Sequence, residues 1–257
     1  MISLHLDQLL SGHVFAFLLV FCRIGAVVTL MPGLGETYVS PRLRMMLALS
    51  FSFLVVGPLM PLMPAPPEAV SDLVKLLGYE IITGIFFGSI LRLIMSAAET
   101  VGAVVALQTG LSNATVLNPA QATQSPLAAA FYSLIAVTLV FVSGLDHFLL
   151  RTVIMTYKVF PPGGSLATGD MAQTFAHAVG QSFLVGVSLA APFIIIGLLM
   201  FVALGIMQRL MPQVQLFLVM LPLQIWGGLT VMGITVAGIM AVWMRYFDET
   251  VGSYIGR

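Results

Sequence analysis

The chain has 257 residues, of which 59% are apolar or aromatic (AVILMFWYC) and only 8% are charged, ten Lys/Arg against ten Asp/Glu. Ordinary soluble domains carry about 25% charged residues, so this chain has too little polar surface for a soluble enzyme and too much apolar content for a disordered one. Zero net charge excludes a general nucleic-acid surface, and the single cysteine, Cys22, excludes an intrachain disulfide and a cysteine-based metal cluster.

Residues 45–67, 100–145, 171–208 and 210–244 contain no charge at all. A membrane-crossing helix needs about 20 mostly apolar residues. Six apolar segments emerge, at about 10–32, 43–63, 73–110, 127–150, 174–208 and 214–244. Runs such as Phe193–Phe201 (FIIIGLLMF) are apolar on every side and do not alternate as barrel strands do, which favours helices in an apolar setting.

The first segment comes after His5 and Asp7 rather than a basic cluster, and runs past Arg23 with no cleavage signature, so it is expected to be retained. Pro32-Gly33 and Gly35 close it, and Ser40-Pro41 opens the second. The five prolines of Gly57–Pro67 exclude one continuous helix there, with Ser71 and Asp72 as caps for the third segment. That segment carries Glu80, Arg92 and Glu99. Pro161–Gly164 is the clearest loop, Thr168 or Asp170 caps the fifth segment, and Pro212 marks the break before the sixth. The last two segments, about 35 and 31 residues long, would run roughly 50 and 45 Å if straight, against a hydrocarbon core of about 30 Å. They must tilt, kink at Pro192 or Pro222, or project beyond the bilayer. Basic residues show no alternating bias between loops and leave the orientation open. The expected fold is an all-α integral membrane-type protein, with broken and kinked helices in an N-terminal part (1–164) and a long C-terminal helical hairpin (165–257).

Small residues recur every four positions at Ala98, Gly102, Ala106 and Gly110, with Gly84 and Gly88 upstream and Ser182, Gly186 and Ala190 in the hairpin. Such stripes let helix backbones approach closely. Residues 108–126 are polar yet uncharged between two apolar segments. They read either as an extramembrane loop or as irregular backbone held at depth to obstruct a path. Arg23, Glu80, Arg92 and Glu99 are costly in lipid and are expected to face protein or a water path. Buried pairs that fix helix partners, with Arg23 meeting Glu80 or Glu99, are favoured over an ion relay. The sixteen methionines suit core filling or a soft gasket. No Walker, GxSxG or HExxH motif occurs, so no catalytic residue, cofactor or metal ligand is expected.

The opening with Arg23, Pro32 and the "PRLR" of Pro41–Arg44, then Glu80 with Gly84 and Gly88, the "GLSNATVLNP" of Gly110–Pro119, the Gly144–His147 region and the "LGIMQRLMPQVQLFLVMLPLQ" of Leu204–Gln224 together resemble the FliR family of the bacterial flagellar export apparatus, whose injectisome counterparts are the SctT proteins. The resemblance covers essentially the whole chain. It implies a FliP-like N-terminal part and a FliQ-like C-terminal hairpin in a hetero-oligomeric helical assembly with FliP and FliQ homologues, an FlhB homologue at the cytoplasmic end, phospholipid around it and unfolded export substrates passing through. It places the chain in the bacterial inner membrane within the flagellar basal body, with much of the complex projecting to the periplasmic side. It implies a channel plug formed by Gly110, Leu111, Ser112, Asn113, Ala114, Thr115, Val116, Leu117, Asn118 and Pro119, and a hairpin tip at Gln208, Arg209, Pro212 and Gln213 near the cytoplasmic entrance. Injectisome service and an autonomous secondary transporter are the alternatives.

Overall fold

A computed structural model describes the backbone of residues 2–36, 38–112, 127–210 and 216–255, and the side chains of 12–36, 38–112, 127–145, 149–210 and 220–253. Among these residues every regular element is helical: α1 (Ile2–Leu30), α2 (Pro41–Leu59, continued by a 3₁₀ turn at Met60–Leu62), α3 (Val70–Gln108), α4 (Leu127–Val142), α5 (Leu145–Val159), α6 (Thr168–Leu189), α7 (Ala191–Leu210) and α8 (Leu216–Ile255). Among the described residues five stretches are long and apolar enough to cross a membrane: Gly12–Leu30, Pro41–Leu62, Val70–Gln108, Ala191–Leu210 and Met220–Ser253. α4 is a shorter apolar helix. The chain is an all-α membrane-type protein.

Local chemistry sets the boundaries. Ser40 caps α2, its hydroxyl accepting the Leu43 N–H at 3.3 Å, and Pro41 takes the first helical position, where no amide is needed. α2 continues through Pro58 and gives way to the 3₁₀ turn only at Met60, a little further into the proline-rich stretch than its composition suggests. Two expected segments are each interrupted. Residues 127–150 divide at Gly144, whose φ of +74° lies in the left-handed region that favours glycine. Residues 174–208 divide at Ala190, because Pro192 has no N–H to continue the ladder and fits only the first turn of a new helix. Pro222, by contrast, lies inside α8, which runs on as one 40-residue helix of about 60 Å.

The described residues pack as two units: Met1–Leu93 with Gly144–Ala178 and Val251–Arg257, and Ile94–Ser143 with Val179–Thr250. In the first, α1 and the early part of α3 run parallel. A side chain at Gly84 would strike the Arg23 carbonyl at 2.5 Å, and one at Gly88 would strike Leu30 Cβ at 2.9 Å. Val20, Ile24, Val27, Ala48, Val55 and Phe87 fill the core beside that contact. In the second unit the small-residue stripe of α3 is wholly buried at Ala98, Gly102, Ala106 and Gly110. Gly102 presses on the α4 backbone at Ala128 and Ala129, and Gly186 of α6 lies against Thr100 and the Ala97 carbonyl.

Backbone, unlike a flexible side chain, cannot yield at Gly102. Gly102→Val is expected to destabilise the protein by about 3 kcal/mol, the upper end of overpacking costs, in thermal unfolding of the detergent-solubilised chain. Gly233→Ala in α8 meets no atom within 4 Å and is expected to be neutral or stabilising.

Candidate functional site

In the first unit Arg23 of α1 and Glu80 of α3 are both fully buried. Arg23 donates from Nε to Glu80 Oε2 at 2.6 Å and from Nη2 to Glu80 Oε1 at 3.0 Å, a two-pronged pair. Nη2 also donates to the Phe160 carbonyl at the end of α5 at 2.9 Å, and Nη1 reaches Thr156 Oγ1 at 3.4 Å. The Thr156 hydroxyl donates in turn to the Val153 carbonyl at 2.6 Å. The guanidinium carbon sits 4.0 Å from the centre of the Tyr157 ring. Burial pushes the Tyr157 hydroxyl well above the usual phenol range, so it stays protonated at ordinary pH. One cation thereby joins α1, α3 and α5, and its acceptors are a carboxylate, a hydroxyl and a carbonyl that the helices hold in place. That arrangement is a clamp.

Arg92 pairs with Glu36 in the turn after α1, a partner that the apolar-run reading did not single out because Glu36 stands in a loop. The same turn is held by Arg44 of α2, whose Nε donates to the Leu34 carbonyl at 2.8 Å while Nη2 donates to those of Glu36 at 2.5 Å and Val39 at 3.1 Å. Glu99 lies half-buried on α3 in the second unit.

Also in the second unit, α3 ends where the uncharged stretch begins. Gly110 takes φ +72°, and the Ser112 N–H donates back to the Ala106 carbonyl at 3.1 Å, so the chain turns off the helix at once. Two other helices hold this exit. Gln224 of α8, 8% exposed, donates from Nε2 to the Gln108 carbonyl at 2.7 Å. Gly228 of α8 lies directly on Thr109, and Gly197 of α7 lies on the Gln108 side chain. Thr109 is buried and turns its hydroxyl to the Val105 carbonyl at 2.8 Å. Leu111 and Ser112 are half-buried, whereas Asn113–Pro119 and the stretch on to residue 126 lie outside the described residues. At the other end of α7, Gln208 and Arg209 are exposed in its last turn, and Pro212 and Gln213 lie outside the described residues. Gln224, Gly197 and Gly228 were not expected here. The signal for Gln224 was an amide in a charge-free helix, but nothing in the sequence named the carbonyl it would meet.

The family described as bacterial export proteins, family 1, matches residues 14–250. The chain is 35% identical over 238 residues to the flagellar biosynthetic protein FliR of Caulobacter vibrioides, covering 92% of this chain and 94% of that protein. It is 28% identical to FliR of Escherichia coli, covering 88% and 86% of the two chains. It is also 27% identical to the surface presentation of antigens protein SpaR of Shigella sonnei, covering 83% of each.

The clamp makes a quantitative expectation. Glu80→Gln strands a buried guanidinium and should cost about 3–5 kcal/mol, whereas an apolar double variant, Arg23→Met with Glu80→Leu, should recover most of that stability. Thermal unfolding of the three variants measures it. A proton-relay role would instead yield a stable double variant that no longer supports export.

Proposed function

This chain belongs to family 1 of the bacterial export proteins, the FliR family, an integral membrane component of the flagellar and type III export apparatus, and on that premise we propose that it is a core subunit of a flagellar export gate. With FliP and FliQ homologues it forms the channel that passes unfolded flagellar proteins, and an FlhB homologue joins it at the cytoplasmic end. Residues 1–164 supply the FliP-like part and 165–257 the FliQ-like hairpin, with the tip at 208–213 facing the cytoplasmic entrance. Much of the assembled complex projects to the periplasmic side. The flagellar assignment follows the FliR names of its relatives.

The residues Gly110–Pro119 plug the channel in this reading, and substrate displaces them without any chemical step in this chain. The observation that supports it is the fixing of the exit from α3 by Gln224, Gly228 and Gly197. A merely solvated loop has no need of such an anchor, and an obstruction needs a fixed point from which to swing. The stretch 108–126 also carries no charge, so it can lie in a narrow conduit without stranding an ion away from water.

Replacing Leu111–Pro119 with a short Gly/Ser turn is expected to raise membrane conductance in verified assemblies of the gate. Unchanged conductance there would overturn the plug assignment. Gln224→Leu leaves the Gln108 carbonyl unsatisfied, at a cost of about 1–3 kcal/mol. A closed state weakened by that amount opens about 5- to 140-fold more often, so the variant should leak to an intermediate degree in the same recording.

A further inference from the structure

Among the described residues three buried side-chain polar atoms meet no hydrogen-bond partner: the hydroxyls of Tyr132 and Tyr157 and the indole nitrogen of Trp243. Such groups are rare, because each has given up its bonds to water for nothing, and each needs a reason. Tyr157 has one in its ring, which carries the Arg23 guanidinium. Tyr132 of α4 and Trp243 of α8 are fully buried in the second unit, where phenylalanine would fill much of the same space without stranding a polar atom. The two are complementary, since an indole N–H only donates and a phenol oxygen accepts.

We infer that α4 is a lever of the gate, which pivots on its contact with Gly102 and swings toward α8, where the Tyr132 hydroxyl accepts the Trp243 N–H. A groove of about 570 Å³ lies between the two helices and gives the room. Ile135 and Leu139 of α4 face Ala237, Met240, Ala241 and Met244 of α8 across it. Tyr132 stands three residues before Ile135 and Trp243 three after Met240, so each lies about one helical turn from the lining. The α8 wall is small at its alanines and pliant at its methionines, whose unbranched side chains repack readily.

The pivot is the start of α4, where the Gly102 backbone presses on Ala128 and Ala129. From Ala129 to Leu139 the lever arm is about 15 Å. α4 is the first described element after the uncharged stretch 108–126, so the load on it, which rests on the plug reading above, arrives at Leu127 when substrate displaces that stretch. With α4 at rest two polar atoms are stranded, and one bond in the swung position satisfies both. The open gate is thereby a discrete second state and not a continuous yielding.

The test uses the full gate complex with assembly verified. Tyr132→Phe should leave the melting temperature unchanged or raised, and should lower both the leak of Gln224→Leu and the rate of substrate secretion about fivefold, the worth of one hydrogen bond. Trp243→Phe should also lower the leak, and adding Tyr132→Phe to it should cost nothing more, because either change removes the one shared bond. Ala241→Phe fills the groove and should lower the leak with both polar atoms intact. A lowered melting temperature in Tyr132→Phe would mean that its hydroxyl is already satisfied at rest, by a buried water for instance, and would overturn the lever. So would unchanged leak and secretion in that variant, or losses that multiply in the double variant. If Gln224→Leu does not leak, the anchor of the plug falls by itself, and secretion by the Tyr132 and Trp243 variants still decides the case for α4.

Discussion

An apolar surrounding offers no water to a backbone carbonyl that a helix end or a turn has freed, so the protein must supply a donor itself. Among the described residues a long side chain from a helix does so three times. Arg23 of α1 takes the Phe160 carbonyl at the end of α5. Arg44 of α2 takes three carbonyls of the turn that precedes it. Gln224 of α8 takes the Gln108 carbonyl at the end of α3. Each bond satisfies a partly buried carbonyl and, in doing so, fixes where the chain goes next. The clamp, the braced turn before α2 and the anchored exit toward the uncharged stretch are versions of one solution.

Surfaces divide by side-chain size. Where backbones touch, the residues are small, as at Gly84, Gly102 and Gly186. Where bulky apolar residues recur, they point away from the chain. On α7, Ile195, Leu198 and Leu199 are each about 60% exposed, and only 11% of its apolar 18-residue stretch is buried. In the apolar 18-residue stretch of the α8 span the buried share is 17%. A soluble monomer does not leave such faces to water. Such faces suit lipid and protein neighbours.

The all-α architecture was legible because charge is so scarce that its gaps outline the helices. The caps at Ser40-Pro41 and the break near Pro192 were legible because each arises from one residue's backbone chemistry. The division at Gly144 was not, since a lone glycine in an apolar run has the same composition whether it turns or packs. Arg23, Glu80 and Arg92 stood out as charges in apolar surroundings, but their partners depend on which helices lie side by side. Glu36 escaped notice because a glutamate in a turn looks solvated until a neighbouring helix arrives. The exit from α3 illustrates the same limit: the small-residue stripe announced a close neighbour, and only the packed helices identify Gly228 and Gln224 as the residues that meet it.

The Arg23 clamp also bears on biogenesis. The chain emerges from the ribosome in order, so α1 enters the membrane with a guanidinium whose carboxylate partner is 57 residues behind it and whose carbonyl acceptor is 137 behind. Through that interval α1 is a poor resident of lipid and must be sheltered by the insertion machinery or lie near the interface. Release into the bilayer becomes favourable once α3 and then α5 have been synthesised. A truncated product never reaches that point and stays recognisable to quality control as unfinished.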